Sequence, residues 1–387
     1  MEHATLVQRG PLPSYLSLPD PVPDLVRILA PTGDHLWLVT DRELGRQVLA
    51  EDRFSRALAV APQAPAIHPL RPDATALTSL DPPDHHRLRR LVSHAFTPPA
   101  MAALEKGLRQ TASDLLTGRR SMDLVPDYVM VLAATAICRV LGIPEAEQGR
   151  FSALADRAHG ITPCSPEQSG VARGELREYV ASLVTADGLG PDEDLLGALR
   201  RSREEDAALT VDELTGLVEL LLDAGYETTI GQISLAVLAL MERPEQWRLL
   251  VRRPAAVPGA VEELLRYAPV VPISFTRVAR HDTVLGGERI RAGEGVLVSL
   301  LHANFRLRDH PDPADLRVDR QGVRHLTFGH GPHVCLGARL ARLQTRIALN
   351  ELIATAPNLS LDVDPAGLGW RPSEALVRGP TALPVSW

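Results

Sequence analysis

Phe328-Gly-His-Gly-Pro-His-Val-Cys335-Leu-Gly-Ala-Arg-Leu-Ala-Arg342 carries more structural information than any other run of the 387-residue chain. Glycines 329 and 331 permit backbone conformations closed to other residues. Cys335 stands at the head of an apolar-periodic run, Leu336 to about Ala354, that reads as a helix. A helix N-terminus offers free N–H groups and partial positive charge, and both favour a thiolate. Gly337 leaves space for a flat ligand to approach the backbone. A lone cysteine is more often a half-buried packing residue, so this run alone leaves a structural role open.

Upstream, Thr210-Val-Asp-Glu213 has the form of a capping box, and apolar periodicity then continues to Met241, short of Pro244. Such a helix of about 32 residues is roughly 48 Å long, enough to cross the whole molecule. Its middle reads Leu-Leu-Leu-Asp223-Ala-Gly-Tyr-Glu227-Thr228-Thr229-Ile. Polar groups inside an apolar helix are costly unless partnered. They mark either a change of face, with threonine bonding back to the preceding turn, or a site.

Three shorter patterns surround these two. Glu263 and Arg266 are three apart on one helix face, which alone suggests a surface ion pair. Asp81-Pro-Pro-Asp-His85-His-Arg-Leu-Arg89 puts His85 and Arg89 one helical turn apart. Pro272-Ile-Ser-Phe-Thr-Arg277 places an arginine on a strand-like run.

A hydrophobic fraction of 45% and a charged fraction of 23% are those of an ordinary globular protein. The net charge of −7 and the lack of long like-charge runs speak against a nucleic-acid partner. Lys106 is the only lysine, so nearly all positive charge is arginine. Cys138, Cys164 and Cys335 make neither a disulfide framework nor a CxxC pair, and Cys138 lies in an apolar run as plain core. No signal peptide and no run of about 18 apolar residues is visible, so a soluble cytoplasmic protein without a membrane anchor is expected.

Pro-rich, irregular sequence is expected over residues 11–34 and 61–83, with a short strand at residues 35–40 between them. Residues 84–250 read as helical, 270–300 as short strands, 303–334 as loop, 336–356 as helix and the remainder as strands. No repeat or linker separates independent domains, so residues 1–387 read as a single, mainly α domain with a small β portion.

The segment around Cys335 matches, position for position, the haem-binding pattern F-G-x-G-x-[HR]-x-C-x-G-x-x-[LA]-A-R of the cytochrome P450 family, and the chain resembles that family over nearly its whole length. The resemblance implies the P450 fold, with a long central helix over haem b (iron protoporphyrin IX) and Cys335 as the axial thiolate that favours O–O cleavage. Phe328 would pack by the sulfur, Gly337 would sit close to the haem, and His333 would bond a propionate. Ala224 to Thr229 fits [AG]-G-x-[DE]-T-[TS]. On that likeness Ala224 and Gly225 lie over the haem where the helix loosens for dioxygen. Thr228 would hydrogen-bond the oxygen being activated and Glu227 would feed protons, a pairing suited to heterolytic cleavage. His85, Arg89 and Arg277 would complete the propionate partners. Glu263 and Arg266 would be structural, with Arg320 as a third member. Gln344 departs from the Glu of many bacterial members, and Asn304-Phe-Arg-Leu-Arg-Asp309 from their usual N-R-D-P.

Substrate contacts in this family come from loops, here residues 61–78, 151–168, 271–275 and 373–376 with Leu221 and Leu222, mostly apolar in composition. His68, Arg71 and Asp73 are the polar candidates. The resemblance implies a monooxygenase hydroxylating or epoxidising a small apolar natural-product intermediate with O2 and electrons from a ferredoxin and ferredoxin reductase. Oxidative C–C or C–O coupling is the alternative, and a non-catalytic haem sensor or carrier a remote one. Arg87, Arg89, Arg90, Arg339, Arg342 and Arg346 would give an acidic protein a basic face for an acidic ferredoxin.

Overall fold

The computed structural model describes residues 11–68, 71–161, 165–185, 194–205, 209–306, 312–373 and 375–387. Strands β1 (Leu25–Leu29) and β2 (His35–Val39) pair antiparallel and lead to helix α1 (Arg42–Ala50) and β3 (Phe54–Ser55). Next come α2 (Asp84–Ser93), α3 (Pro98–Leu116), β4 (Ser121–Asp123), α4 (Met130–Leu141), α5 (Glu145–His159), α6 (Pro166–Thr185) and α7 (Leu195–Glu205). Helices α8 (Val211–Met241), α9 (Pro244–Arg252) and α10 (Val257–Tyr267) follow. Strands β5 (Arg277–Ala279), β6 (Thr283–Leu285), β7 (Glu288–Ile290) and β8 (Gly295–Val298) precede α11 (Leu300–Phe305) and α12 (Ala338–Thr355), with β9 (Ser360–Leu361) and β10 (Pro384–Ser386) last.

The chain forms two compact units, each built from three stretches. The first takes Met1–His85, Ala255–Leu336 and Pro372–Arg378; the second takes His86–Pro254, Gly337–Arg371 and Gly379–Trp387. The first unit centres on a sheet of order β1-β2-β8-β5-β3, in which only the β2–β8 pair is parallel. Successive residues of a strand face opposite sides. Val296 and Val298 of β8 accordingly join Val48, Leu49 and Phe54 on one face, while Leu297 joins Leu36, Leu38 and Ile273 on the other. With both faces covered, each such side chain contributes about 1.5–3 kcal/mol of burial.

The second unit is helical. Thr210 caps α8 by accepting from the Glu213 N–H, and Glu213 reaches back to the Thr210 N–H, the expected capping box. Buried positions run right round the helix after Tyr226, as befits one enclosed on all sides. Helices α4, α6, α9 and α12 pack on it. A small sheet of order β4-β10-β9 completes the unit. No helix among the described residues is long and apolar enough to cross a membrane.

Four boundaries differ from the sequence reading. Strand β1 lies inside the stretch expected to be irregular, because its partner β2 recruits a Leu-Val-Arg-Ile-Leu run flanked by prolines. Strand β4 and a π-helical turn at Val125–Val129 interrupt the helical span, the strand being fixed by β10 from the far end of the chain. A short helix, α11, reaches Phe305 inside the expected loop. The helix after Cys335 begins at Ala338, with Gly337 in the cap position, so Cys335 lies in the turn before it rather than at its head. Cys164 and the end of the Asn304–Asp309 departure lie outside the described residues.

Candidate active site

Cys335 is exposed at the end of a tight loop in the first unit. Its N–H donates to the Phe328 carbonyl at 2.8 Å, and Gly329 donates to Leu326 at 2.7 Å. Gly329 and Gly331 both hold positive φ, 71° and 73°. At Gly331 a Cβ would stand 2.5 Å from the Leu49 carbonyl oxygen, so glycine is needed for space as well as for conformation. Among the described residues nothing lies within 4 Å of a Cβ placed on Gly337, which keeps that approach open. Phe328 packs beside His325, ring centroids 5.7 Å apart.

Behind the loop lies a buried ionic cluster. Arg266 grips Glu263 through two hydrogen bonds of 2.7 and 2.8 Å, and both side chains are fully buried. Arg320 adds a third at 3.1 Å, as the resemblance implied. Arg266 also donates to the carbonyls of Asn304 and Pro313. Asn304 in turn donates to Thr327 Oγ1 at 2.9 Å and accepts from the Leu326 N–H at 2.7 Å. The cluster therefore fixes the residues immediately before Phe328. Asn304 and Thr327 had no role in the sequence reading, since neither type at that spacing is distinctive.

Of the expected propionate partners, the structure brings His85 and His333 together, ring centroids 4.1 Å apart, with His85 buried and His333 half-buried within the first unit. His333 and Arg277 line a cavity of about 260 Å³ with Phe54, Asp81, Arg280 and Pro332. Arg277 is 5% exposed; its Nη1 donates to the Phe54 carbonyl, while its Nε is buried with no hydrogen-bond partner among the described residues. Burial pushes this guanidinium down to about 10, opposed by the Asp81 carboxylate. A buried cation with an unanswered N–H is what an anionic carboxylate of a haem would satisfy, so these residues fit the group. Arg89 follows His85 by one turn on α2. Among the described residues no three His, Cys, Asp or Glu converge on a metal site.

In the second unit, Ala224 is exposed and Thr228 half-buried, midway along α8. Thr228 Oγ1 donates to the Ala224 carbonyl at 2.6 Å, a back-bond to the preceding turn. A Cβ on Gly225 would meet Ile137 of α4 at 2.7 Å, and α8 runs unbroken through it, so the glycine admits a neighbouring helix. Glu227 is tied by Arg371 Nη1 at 2.5 Å and lies 3.5 Å from His159 Nδ1, while His159 Nε2 lies 3.0 Å from Asp223. Arg371 and His159 were missed by sequence reading.

The substrate candidates are only partly visible: residues 69–70, 162–164 and 374 lie outside the described residues. Leu221 and Leu222 are buried, whereas Phe275 is exposed. Arg71 and Asp73 are engaged within their own loop, with the Pro62 carbonyl and with Thr75.

Comparison with known proteins extends the local fit to the whole chain. The family model described as "Cytochrome P450" matches residues 256–366. Nocardicin C N-oxygenase of Nocardia uniformis subsp. tsuyamanensis is 38% identical over 97% of this chain and 95% of its own. The mycinamicin IV hydroxylase/epoxidase of Micromonospora griseorubida is 39% identical over 93% and 92%. Among solved structures, the mixed-function P450 MycG superposes with a TM-score of 0.87 at 37% identity, covering 98% of both chains. The LnmA cytochrome P450 hydroxylase of the leinamycin pathway of Streptomyces atroolivaceus gives 0.85 at 38%, over 94% and 93%. Likeness at that identity and coverage, from the first described strand to the last, leaves one conclusion: the chain belongs to the cytochrome P450 family, and it is a monooxygenase of the bacterial kind.

Proposed function

We propose that this monooxygenase hydroxylates or epoxidises an apolar intermediate of natural-product biosynthesis in the cytoplasm, with haem b on Cys335 and electrons from a ferredoxin and its reductase. The observation that carries this reading is the acid–alcohol turn Glu227–Thr228 set beside exposed Ala224 midway along a largely apolar helix. Neither side chain is needed merely to hold a haem, and relatives named for hydroxylation, epoxidation and N-oxygenation belong to natural-product chemistry. When bound, the haem supplies the oxygen activation. The chain's part is to hold the cofactor and manage protons. Cys335 is the thiolate ligand, with Phe328 and Gly337 framing it. His85, Arg89, Arg277 and His333 bind the propionates. Thr228 orients the reacting oxygen, and Glu227 delivers protons to its hydroxyl through water. Ala224 keeps that face of α8 low.

The test has two stages. The dithionite-reduced protein with carbon monoxide should give a strongly red-shifted Soret band that Cys335→Ala abolishes. Turnover of a panel of natural-product intermediates, nocardicin C and mycinamicin IV among them, with a ferredoxin system should then give products heavier by one oxygen atom. A product lighter by two hydrogens, without added oxygen, would replace hydroxylation by oxidative coupling; a histidine-type band would remove the thiolate assignment.

A further inference from the structure

The polar groups of α8 do not end at Glu227. Asp223 and Glu227 are one helical turn apart, and the imidazole of His159, the last residue of α5, is set between them. Its Nε2 contacts Asp223 Oδ1 at 3.0 Å and its Nδ1 contacts Glu227 Oε2 at 3.5 Å. The other oxygen of Glu227 is taken by Arg371, whose side chain is 3% exposed. His159 is 16% exposed, against 29% for Asp223, so the ring lies inside and the aspartate towards water. A histidine with one carboxylate at each nitrogen is the side-chain arrangement best able to hold a proton near neutrality and pass it on.

We propose that His159 is a positioning and proton-loading residue for Glu227. The inference rests on the reading of Glu227 as the source of protons for oxygen activation. In the loading step the imidazolium closes the 3.5 Å gap to Glu227 to hydrogen-bond distance, its Nδ1–H bond breaks and an O–H bond forms on Glu227 Oε2, leaving a neutral ring and a neutral carboxyl. The ring then takes a proton back at Nδ1 from a hydronium ion of the solvent, which leaves as water, with the Asp223 charge favouring recapture. Arg371 holds the second Glu227 oxygen fixed, so the proton lands on the oxygen facing His159.

The surroundings agree. Burial alone would lower the affinity of His159 for its proton. The contact with Asp223 and the charges of Asp223 and Glu227 outweigh this and raise it, with Arg371 opposing. Helix α6, packed along α5, brings Glu175 and Arg173, but these are engaged by Arg157 and by Ser169 Oγ. Helix α4 carries Arg139, which lies against Gly107 of α3. The charged groups set against the imidazole are therefore Asp223, Glu227 and Arg371.

The test uses the haem-loaded protein and two readouts. In the reduced, carbon-monoxide-bound protein, the His159 signal, assigned by its loss in His159→Gln, should titrate above the ordinary histidine range. Asp223→Asn and Glu227→Gln should each bring it down. Separately, the dithionite-reduced protein is mixed with O2 and its return to the ferric state followed between pH 6 and 9. The wild-type rate should fall as His159 loses its proton. His159→Gln should be slower and flat with pH, by about 10-fold, less than the 10²–10⁴-fold that direct acid–base groups contribute. Asp223→Asn keeps the ring and should move the limb to lower pH, which covers the case in which His159→Gln does not fold. A wild-type pH profile in His159→Gln, or a titration unmoved by Glu227→Gln, overturns the proposal. A rate unchanged by Glu227→Gln instead removes the Glu227 role on which it rests.

Discussion

Glu263 sits fully buried between two arginines, so its charge is answered twice, and that arithmetic sets what its removal costs. Glu263→Gln leaves Arg266 and Arg320 facing each other in low dielectric, and breaking such a buried pair costs about 3–5 kcal/mol. The expected outcome is a large fall in melting temperature together with poor haem retention, read from the Soret-to-protein absorbance ratio. Gln344 is the opposite case. It is fully buried, and neither amide atom has a hydrogen-bond partner among the described residues. Gln344→Met should therefore leave stability unchanged or raise it, because it removes unsatisfied polar atoms at similar volume. Gln344→Glu, the residue of many relatives in this pattern, should lower it by placing a charge there. Thermal unfolding of the two variants side by side decides this. His159 adds a pH-dependent contribution whose sign is fixed by its direction of shift. Its affinity for a proton is raised by folding, so its stabilisation is complete below the ordinary histidine value of about 6.5 and lost as pH rises through the raised one. The stability gap between wild type and His159→Gln should be widest near pH 6 and close towards pH 9.

At the scale of elements, the packing of α4 on α8 makes Gly225 a test of its own assignment. A valine there must displace Ile137, and overpacking of this kind costs about 1–3 kcal/mol. If the glycine serves packing, Ile137→Ala combined with Gly225→Val should recover most of the stability lost by Gly225→Val alone. Failure of that rescue, with haem lost, would return Gly225 to the cofactor. The elements differ in how far the sequence alone discloses them, for physical reasons. Helix α8 is legible end to end because its cap, its periodicity and its proline stop are all local. The Cys335 loop is legible as a pattern, yet its helix starts later than periodicity suggests, since the cap is Gly337 and not a Ser, Thr or Asp. Strand β4 is three residues long and exists through pairing with β10, which no local pattern reveals. The Glu263 partners Arg266 and Arg320 follow from family likeness, while Asn304 and Thr327 emerge only when the loop is folded. Arg371 meets Glu227 across 144 positions of sequence, and His159 is an unremarkable helix end until α5 and α8 are placed.

For the molecule as a whole, net charge and local charge point in different directions. The chain carries −7 overall, yet its second unit gathers Arg87, Arg89, Arg90, Arg339, Arg342 and Arg346 on α2 and α12. They are not equivalent. Arg87 is bound to Glu213, and Arg346 is bound to Glu105 at 2.9 Å, an interaction that holds the Glu105 carboxyl below the ordinary range. Arg90 and Arg339 are exposed, and Arg342 is half-buried. If an acidic ferredoxin docks on these helices, exposed charges should steer its approach and intramolecularly bound ones should matter little. Arg90→Glu and Arg339→Glu should thus slow first-electron transfer several-fold at low ionic strength. Arg346→Glu should act mainly on stability, by opposing Glu105. At about 0.5 M salt the Debye length falls to about 4 Å, and the kinetic differences between wild type and the exposed-site variants should vanish. Stopped-flow reduction across a salt series makes the comparison. Equal slowing at every salt concentration would mean that the arginines support the fold and that the electron donor arrives elsewhere.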